Sequence, residues 1–249
     1  MAFGALIIGD EILSGRRADK HLVKLIELLR LRGLRLGWAR YVGDDAQQLV
    51  SALRDSFASG DIVFSFGGIG ATPDDRTRQC AARALGLELA LHPEAEAAIR
   101  GRFGAEVTPQ RLKMGVYPVG SGIIPNPYNQ IPGFSIREHY FVPGFPVMAW
   151  PMVEWVLDTR YPHLHHAEDY VERAITVWDV YEGQLIDLME RISADYPDAV
   201  LFSLPTVAGE GERRSVELGM KGPQARADAA MARIKAELDV RGHPWQVRI

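Results

Sequence analysis

The chain has 249 residues, 47% of them hydrophobic, enough to bury one large core or a medium and a small one. Its net charge of -4 argues against an extended basic surface for nucleic acid, and no apolar run reaches the ~18 residues of a membrane-spanning helix. The lone cysteine, Cys80, excludes an intramolecular disulfide and fits a reducing compartment, so a cytoplasmic protein with neither membrane nor nucleic-acid partner is expected.

Phe3 to Ile8 is a short continuous apolar run, as expected of a strand buried on both faces, and no secretion signal precedes it. Ala18 to Arg32 puts Leu22, Leu25, Ile26 and Leu29 on one helical stripe, and Gly33 supplies a left-handed stop. The unit then repeats. Leu34 to Val42 reads as a strand, Ala46 to Phe57 as a helix, Asp61 to Phe66 as a strand, and Pro73 to Leu85 as a helix. Successive strand–helix units of this length predict an α/β fold with a parallel, doubly wound sheet and right-handed crossovers. From Thr108 to Pro146, where Pro and Gly are frequent, strand-like pieces at Phe134 to Arg137 and His139 to Val142 predict a hairpin and loops laid over the sheet edge. Val147 to Leu157 predicts a closing helix, kinked or begun at Pro151.

The polar stretch from Tyr161 to Glu168 reads as a linker between a first domain at 1–162 and a second at 168–249. The second runs strand (Tyr170 to Val180), helix (Gly183 to Tyr196), strand (Ala199 to Pro205), strand (Ser215 to Lys221), helix (Pro223 to Val240) and a last strand near Val247. That βαββαβ order predicts a small ferredoxin-like α+β unit. Gly209, Glu210, Gly211, Glu212, Arg213 and Arg214 read as an exposed hairpin loop.

Three acidic pairs, Asp10-Glu11, Asp44-Asp45 and Asp74-Asp75, each follow a predicted strand. Ligands on parallel sheets bind at the carboxyl ends of the strands, so the pairs are expected to converge beside Gly67-Gly68-Ile69-Gly70. Glycines there let the backbone approach an anion, and a helix N-terminus offers unpaired N–H groups to a phosphate. The same segment also reads as a plain helix start, with Thr72 as cap, Pro73 at the first position and Asp75 completing a capping box. Asp44 and Asp45 likewise suit the cap and first turn of the next helix, whereas capping does not readily explain Asp10 and Glu11. Six carboxylates at one edge would repel one another by about 1 kcal/mol or more per close pair. A divalent cation bridging to phosphate would join them; Arg16, Arg17, Lys20, Arg76 and Lys113 are candidate further cations, although each taken singly reads better as plain surface charge. Cys80 reads as a buried inert thiol, His163, His165 and His166 as linker residues, and Trp150 and Trp155 as core packing.

Four blocks carry a family resemblance: Gly9-Asp10-Glu11-Ile12-Leu13-Ser14-Gly15, Val42-Gly43-Asp44-Asp45, the run from Gly67 to Thr77, and Val142-Pro143-Gly144-Phe145-Pro146. Ile124-Pro125-Asn126-Pro127 with Pro132-Gly133-Phe134 adds a fifth. Together they resemble the competence/damage-inducible protein A family, whose N-terminal part is a molybdopterin-binding-type domain similar to molybdopterin adenylyltransferases and to the domain attached to some FAD synthases. The resemblance implies a three-layer α/β/α sandwich, ahead of the small α+β domain, that holds a nucleotide or pterin phosphate with Mg2+, Mn2+ or Co2+. It implies that Asp44 and Asp75 are catalytic and hold the metal with Asp10. It further implies ligand binding by Gly67, Gly68, Gly70, Thr72, Thr77, Ser14, Gly144 and Pro146. Members have been assigned a pyrophosphatase activity on ADP-ribose, and the FAD synthase relatives an FAD-cleaving one.

Ala71 stands where the family usually has proline, Lys20 lies where an asparagine is common, and no nicotinamide-nucleotide deamidase domain follows, so deamidation is not expected. The reading is therefore a metal-dependent hydrolase of nucleotide pyrophosphates. Molybdopterin binding with adenylyl transfer and a non-catalytic binding or regulatory module are the alternatives, and a homo-oligomer is expected.

Overall fold

The computed structural model describes residues 2–167, 169–206 and 213–247, and the chain divides into two units, Met1–His165 and His166–Ile249. In the first, β1 (Phe3–Ile8), the short helix α1 (Asp10–Leu13), α2 (His21–Arg30), β2 (Leu36–Val42), α3 (Ala46–Ser59), β3 (Ile62–Phe66) and α4 (Thr77–Leu85) follow in order. Then come β4 (Leu89–Leu91), α5 (Pro93–Phe103), α6 (Pro109–Leu112), β5 (Val116–Pro118), β6 (Gly122–Ile124), β7 (Gly133–Ile136), β8 (His139–Val142) and α7 (Pro146–Arg160). The main sheet has the order β2-β1-β3-β8-β7-β6, parallel from β2 to β8 and antiparallel beyond.

The apolar run of β1 is buried at all six positions because helices cover both faces of the sheet. Side chains alternate across a strand, and β1 divides accordingly. Phe3, Ala5 and Ile7 join a core with Leu25 and Leu29 of α2 and Met152 and Val156 of α7, while Leu6 and Ile8 join Leu49 and Leu53 of α3 and Ala81 of α4. This is the three-layer arrangement. Trp150 and Trp155 pack against the first core.

Two expectations are corrected. The hairpin of β7 and β8 does not lie over the sheet edge: β8 pairs in parallel with β3, so its fully buried residues continue the sheet. The helix expected from Pro73 begins at Thr77, because Thr72 and Asp75 bond to each other in a turn and do not cap α4. The segment 86–118, which periodicity leaves largely unassigned, contains β4, α5, α6 and β5, and β4 and β5 form a separate two-stranded ribbon. Pro151 lies inside α7, which begins at Pro146.

In the second unit β9 (Tyr170–Trp178), α8 (Ile186–Asp195), β10 (Val200–Thr206), β11 (Ser215–Pro223), α9 (Gln224–Val240) and β12 (Trp245–Val247) form an antiparallel sheet of order β10-β11-β9-β12. It has its own core, in which Ile175, Val177, Leu218 and Met220 meet Leu188 and Ile192 of α8 and Ile234 and Leu238 of α9. Gly209, Glu210, Gly211 and Glu212 of the expected loop lie outside the described residues, as does Glu168 of the expected linker. No described helix is long and apolar enough to cross a membrane.

Candidate functional site

The parallel register of β1, β2 and β3 brings Gly9, Gly43 and Gly67 to one end of the sheet. Backbone bonds from the Gly9 amide to the Val42 carbonyl and from the Gly67 amide to the Val142 carbonyl, both 3.0 Å, tie the strand ends together. Asp10 and Asp44 are locked reciprocally: the Asp10 amide donates to Asp44 Oδ2 (3.0 Å) and the Asp44 amide to Asp10 Oδ1 (3.1 Å). Each lock uses one carboxylate oxygen. Asp10 Oδ2 and Asp44 Oδ1 have no hydrogen-bond partner among the described residues. Burial above all, with the carboxylates of Asp10, Glu11 and Asp74 nearby, raises the Asp44 pKa, while the Asp10 amide opposes that rise.

Asp45 is spent differently, accepting from the amides of Gln47 and Gln48 as the side-chain cap of α3. Asp75 is not brought to Asp10 and Asp44: its Oδ2 takes the amide (2.9 Å) and hydroxyl (2.5 Å) of Thr72. Among the described residues no three His, Cys, Asp or Glu side chains form a metal-binding group. That leaves Asp10 and Asp44 as a two-carboxylate set, which suits an ion that keeps waters and shares substrate phosphates, as Mg2+ does.

The glycine loop leaves β3 with Gly67 at φ 101° and Gly68 at φ 68°, a conformation that side chains with a Cβ rarely adopt. A Cβ on Gly67 would stand 2.4 Å from the Ile8 carbonyl oxygen, and one on Gly68 would stand 2.2 Å from Thr77 Oγ1. Buried Thr77 closes the turn, its hydroxyl donating to the Gly67 carbonyl (3.0 Å) and its amide to the Gly68 carbonyl (3.0 Å). The amides of Gly68, Ile69, Gly70 and Ala71 make no hydrogen bond among the described residues, so four successive donors are left without a protein partner.

Beside the Asp10–Asp44 lock lies an open cleft of about 810 Å³. Asp10, Glu11, Asp44, Asp45 and Asp74 line it together with Arg16, Arg17 and Arg76, so three of the five candidate cations share it with the acids. Lys20 and Lys113 do not line it. Ser14 is exposed at the end of α1 and accepts from Arg16 Nε (3.2 Å), while Pro146 starts α7. Gly144 abuts the loop, since a Cβ on it would come 3.5 Å from the Gly67 Cα. Cys80 is buried, and burial pushes its thiol pKa up.

Sequence reasoning passed over two residues. His21, 5% exposed, stacks on Phe66 with ring centroids 4.6 Å apart and bonds through Nε2 to the Gly144 carbonyl (3.2 Å), and burial lowers its pKa. One imidazole thereby ties α2 to both the end of β3 and the loop after β8. Arg78 is 4% exposed and bonds to the carbonyls of Gly70, Lys113 and Val116. Its signal was legible: it sits with Ala81, Ala82 and Leu85 on the apolar stripe of α4, where a charge is out of place.

Residues 4–166 match the family described as "Probable molybdopterin binding domain". The chain is 31% identical over 195 residues to a protein of Caldivirga maquilingensis, covering 75% of this chain and 74% of that one. It is 34% identical over 200 residues to a CinA-like protein of Citrifermentans bemidjiense, covering 76% of this chain and 47% of the relative, so the match spans about half of that protein's length. Among solved structures it is similar to the protein CinA of Thermoplasma acidophilum, with a TM-score of 0.58 and 28% identity over 64% of this chain and 98% of that one. Matched over more than half its length, the chain belongs to the molybdopterin-binding-domain family and is similar to its CinA-like members.

Proposed function

We propose that this protein is a metal-dependent hydrolase of nucleotide pyrophosphates of the ADP-ribose or FAD kind. The observation that carries the reading is the Asp10–Asp44 lock, which leaves one oxygen of each carboxylate free at the sheet end that also carries four unclaimed loop amides. Asp10 and Asp44 would hold a divalent ion, which polarises a phosphoryl oxygen and lowers the pKa of water when bound. The amides of Gly68 to Ala71 take the equatorial oxygens of one phosphoryl group, where negative charge is spread during transfer. Arg16 and Arg76 reach the second phosphate, and the cleft volume suits a dinucleotide-sized ligand. Asp75 supports the chemistry indirectly, by holding Thr72 and so fixing the far end of the loop.

In the reaction a water oxygen adds to one phosphorus, the P–O bond of the anhydride breaks, and the departing phosphate leaves with the bond electrons. The two water protons pass to phosphate oxygens and solvent. ADP-ribose would give AMP and ribose 5-phosphate. Incubation with ADP-ribose and with FAD, with and without Mg2+, Mn2+ or Co2+, should release AMP only when an ion is present. No AMP from either substrate with any of the three ions would sink the proposal.

The family match favours a second reading, in which a pterin phosphate occupies the same cleft and is adenylylated. ATP-dependent capture of molybdopterin, with no AMP from ADP-ribose or FAD, would select it. Pterin binding without any turnover would make the chain a binding module.

A further inference from the structure

A buried charge, Arg78, stands behind the glycine loop with no carboxylate in direct contact among the described residues, Asp75 acting on it only from a distance. Only 4% of the residue is exposed, and it forms no ion pair among the described residues. Its Nη2 donates to the Gly70 carbonyl, its Nη1 to the carbonyls of Lys113 and Val116, and its Nε has no partner. Burying a guanidinium without a direct ion-pair partner is unfavourable, so packing alone does not account for it.

Peptide geometry shows what this grip achieves. A trans peptide is planar, with its C=O and N–H pointing in opposite directions. Holding the Gly70 carbonyl toward Arg78 therefore turns the Ala71 N–H toward the open side of the loop. The next peptide obeys the same rule. Gln110 Nε2 donates to the Ala71 carbonyl (2.6 Å), and the Thr72 amide, pointing the other way, lands on Asp75 Oδ2 (2.9 Å). Two successive peptides are thus fixed by side chains on their carbonyl edges, and the Ala71 amide is the donor left without a partner. Proline at this position would have no N–H to offer.

We propose that Arg78 is a positioning residue whose hold on the Gly70 carbonyl aims the Ala71 amide at a phosphate oxygen, making Ala71 a ligand-binding residue of the loop. This rests on the phosphate-binding reading of the cleft and specifies which backbone donor the anion meets and what orients it. Gln110 does the lesser part of the work from the exposed side.

The test uses the full chain and inorganic pyrophosphate, with calorimetric affinities and amide NMR. In the wild type the Ala71 amide resonance should move downfield on titration. Arg78→Lys keeps the charge but loses the fork, and Ala71→Pro removes the donor, and each should weaken pyrophosphate about tenfold. The double variant should be no weaker than the weaker single one, because Arg78 acts through Ala71. A folded Arg78→Lys protein with wild-type affinity, or losses that add in the double variant, would overturn the inference. Should both substitutions unfold the chain, an Ala71 resonance in the wild type that ignores saturating pyrophosphate does the same. A wild type with no affinity for pyrophosphate would instead remove the phosphate-binding reading itself.

Discussion

The turn after β2 and the turn after β3 start from parallel strands on either side of β1 and each contains a pair of aspartates, yet they are built on opposite plans. After β2 the chain needs only Gly43 and Asp44 before Asp45 caps α3, and the strength of the turn lies in side chains. After β3 the chain spends ten residues, from Gly67 to Arg76, before α4 begins without any side-chain cap, and the strength lies in backbone geometry fixed by Thr77, Asp75 and Arg78. In both pairs the second aspartate bonds to nearby backbone and the first lines the cleft, as Asp45 also does. Both turns thus leave a carboxylate on the cleft, and only the long one also leaves a run of backbone amides without a protein partner. The same end of the sheet can therefore attract a cation at the carboxylates and an anion at the amides.

The largest expected effect separates the two plans through their glycines. A Cβ on Gly67 would meet the Ile8 carbonyl at 2.4 Å in a positive-φ conformation, so neither the clash nor the strain can relax cheaply, and Gly67→Ala should lose about 3 kcal/mol or more of stability. A Cβ on Gly43 would meet Asp10 Oδ1, also at 2.4 Å, but that atom ends a mobile side chain. Gly43→Ala should therefore lose only about 1 kcal/mol in urea unfolding while breaking the lock. Equal losses would erase the distinction. Next in size, Asp44→Ala should keep its fold and lose AMP release from ADP-ribose by about a hundredfold or more, since a free carboxylate oxygen disappears from the cleft. Asp45→Ala should do the converse, retaining turnover and losing about 1 kcal/mol as the α3 cap is removed. Interchanged outcomes for these two variants would show that the roles of the pair are reversed.

The legible part of this molecule was whatever depends on periodicity. The buried run of β1, the stripe of α2 and the β2–α3 and β3–α4 succession could be read because two-residue and 3.6-residue patterns are local. Parallel strands then dictated that the acidic pairs share one end of the sheet, and Asp10 and Asp44 do meet there. What could not be read depends on where a carbonyl or carboxylate turns. Thr72, Pro73 and Asp75 carry the same letters whether they cap a helix or close a turn ahead of it, and only the tertiary bond of Thr77 to Gly67 selects the turn. The β7–β8 hairpin was misplaced for a related reason, since no local signal in His139 to Val142 reveals that its partner is β3, some seventy residues away.

The smallest expected effect tests whether the lock of the β2 turn is strained by its own charge. Asp44 has a folded-state pKa raised above its ordinary 3.8, chiefly by burial and then by Asp10, Glu11 and Asp74. A carboxyl with a raised folded pKa holds its proton longer in the folded chain than in the unfolded one. Its favourable contribution is therefore complete below pH 3.8 and is lost as the pH rises through the folded value. At neutral pH the ionised Asp44 destabilises the turn, by only about a few tenths of a kcal/mol because solvent still screens a half-buried group. Asn in its place keeps an oxygen for the Asp10 amide and removes the repulsion. Asp44→Asn should accordingly melt slightly higher than the wild type at neutral pH, the gap should close in acid, and Mg2+ should raise the melting temperature of the wild type but not of the variant. A variant that melts lower at neutral pH would mean that the reciprocal bond to an ionised carboxylate outweighs the crowding of charge, so that the β2 turn would need no cation to be at rest.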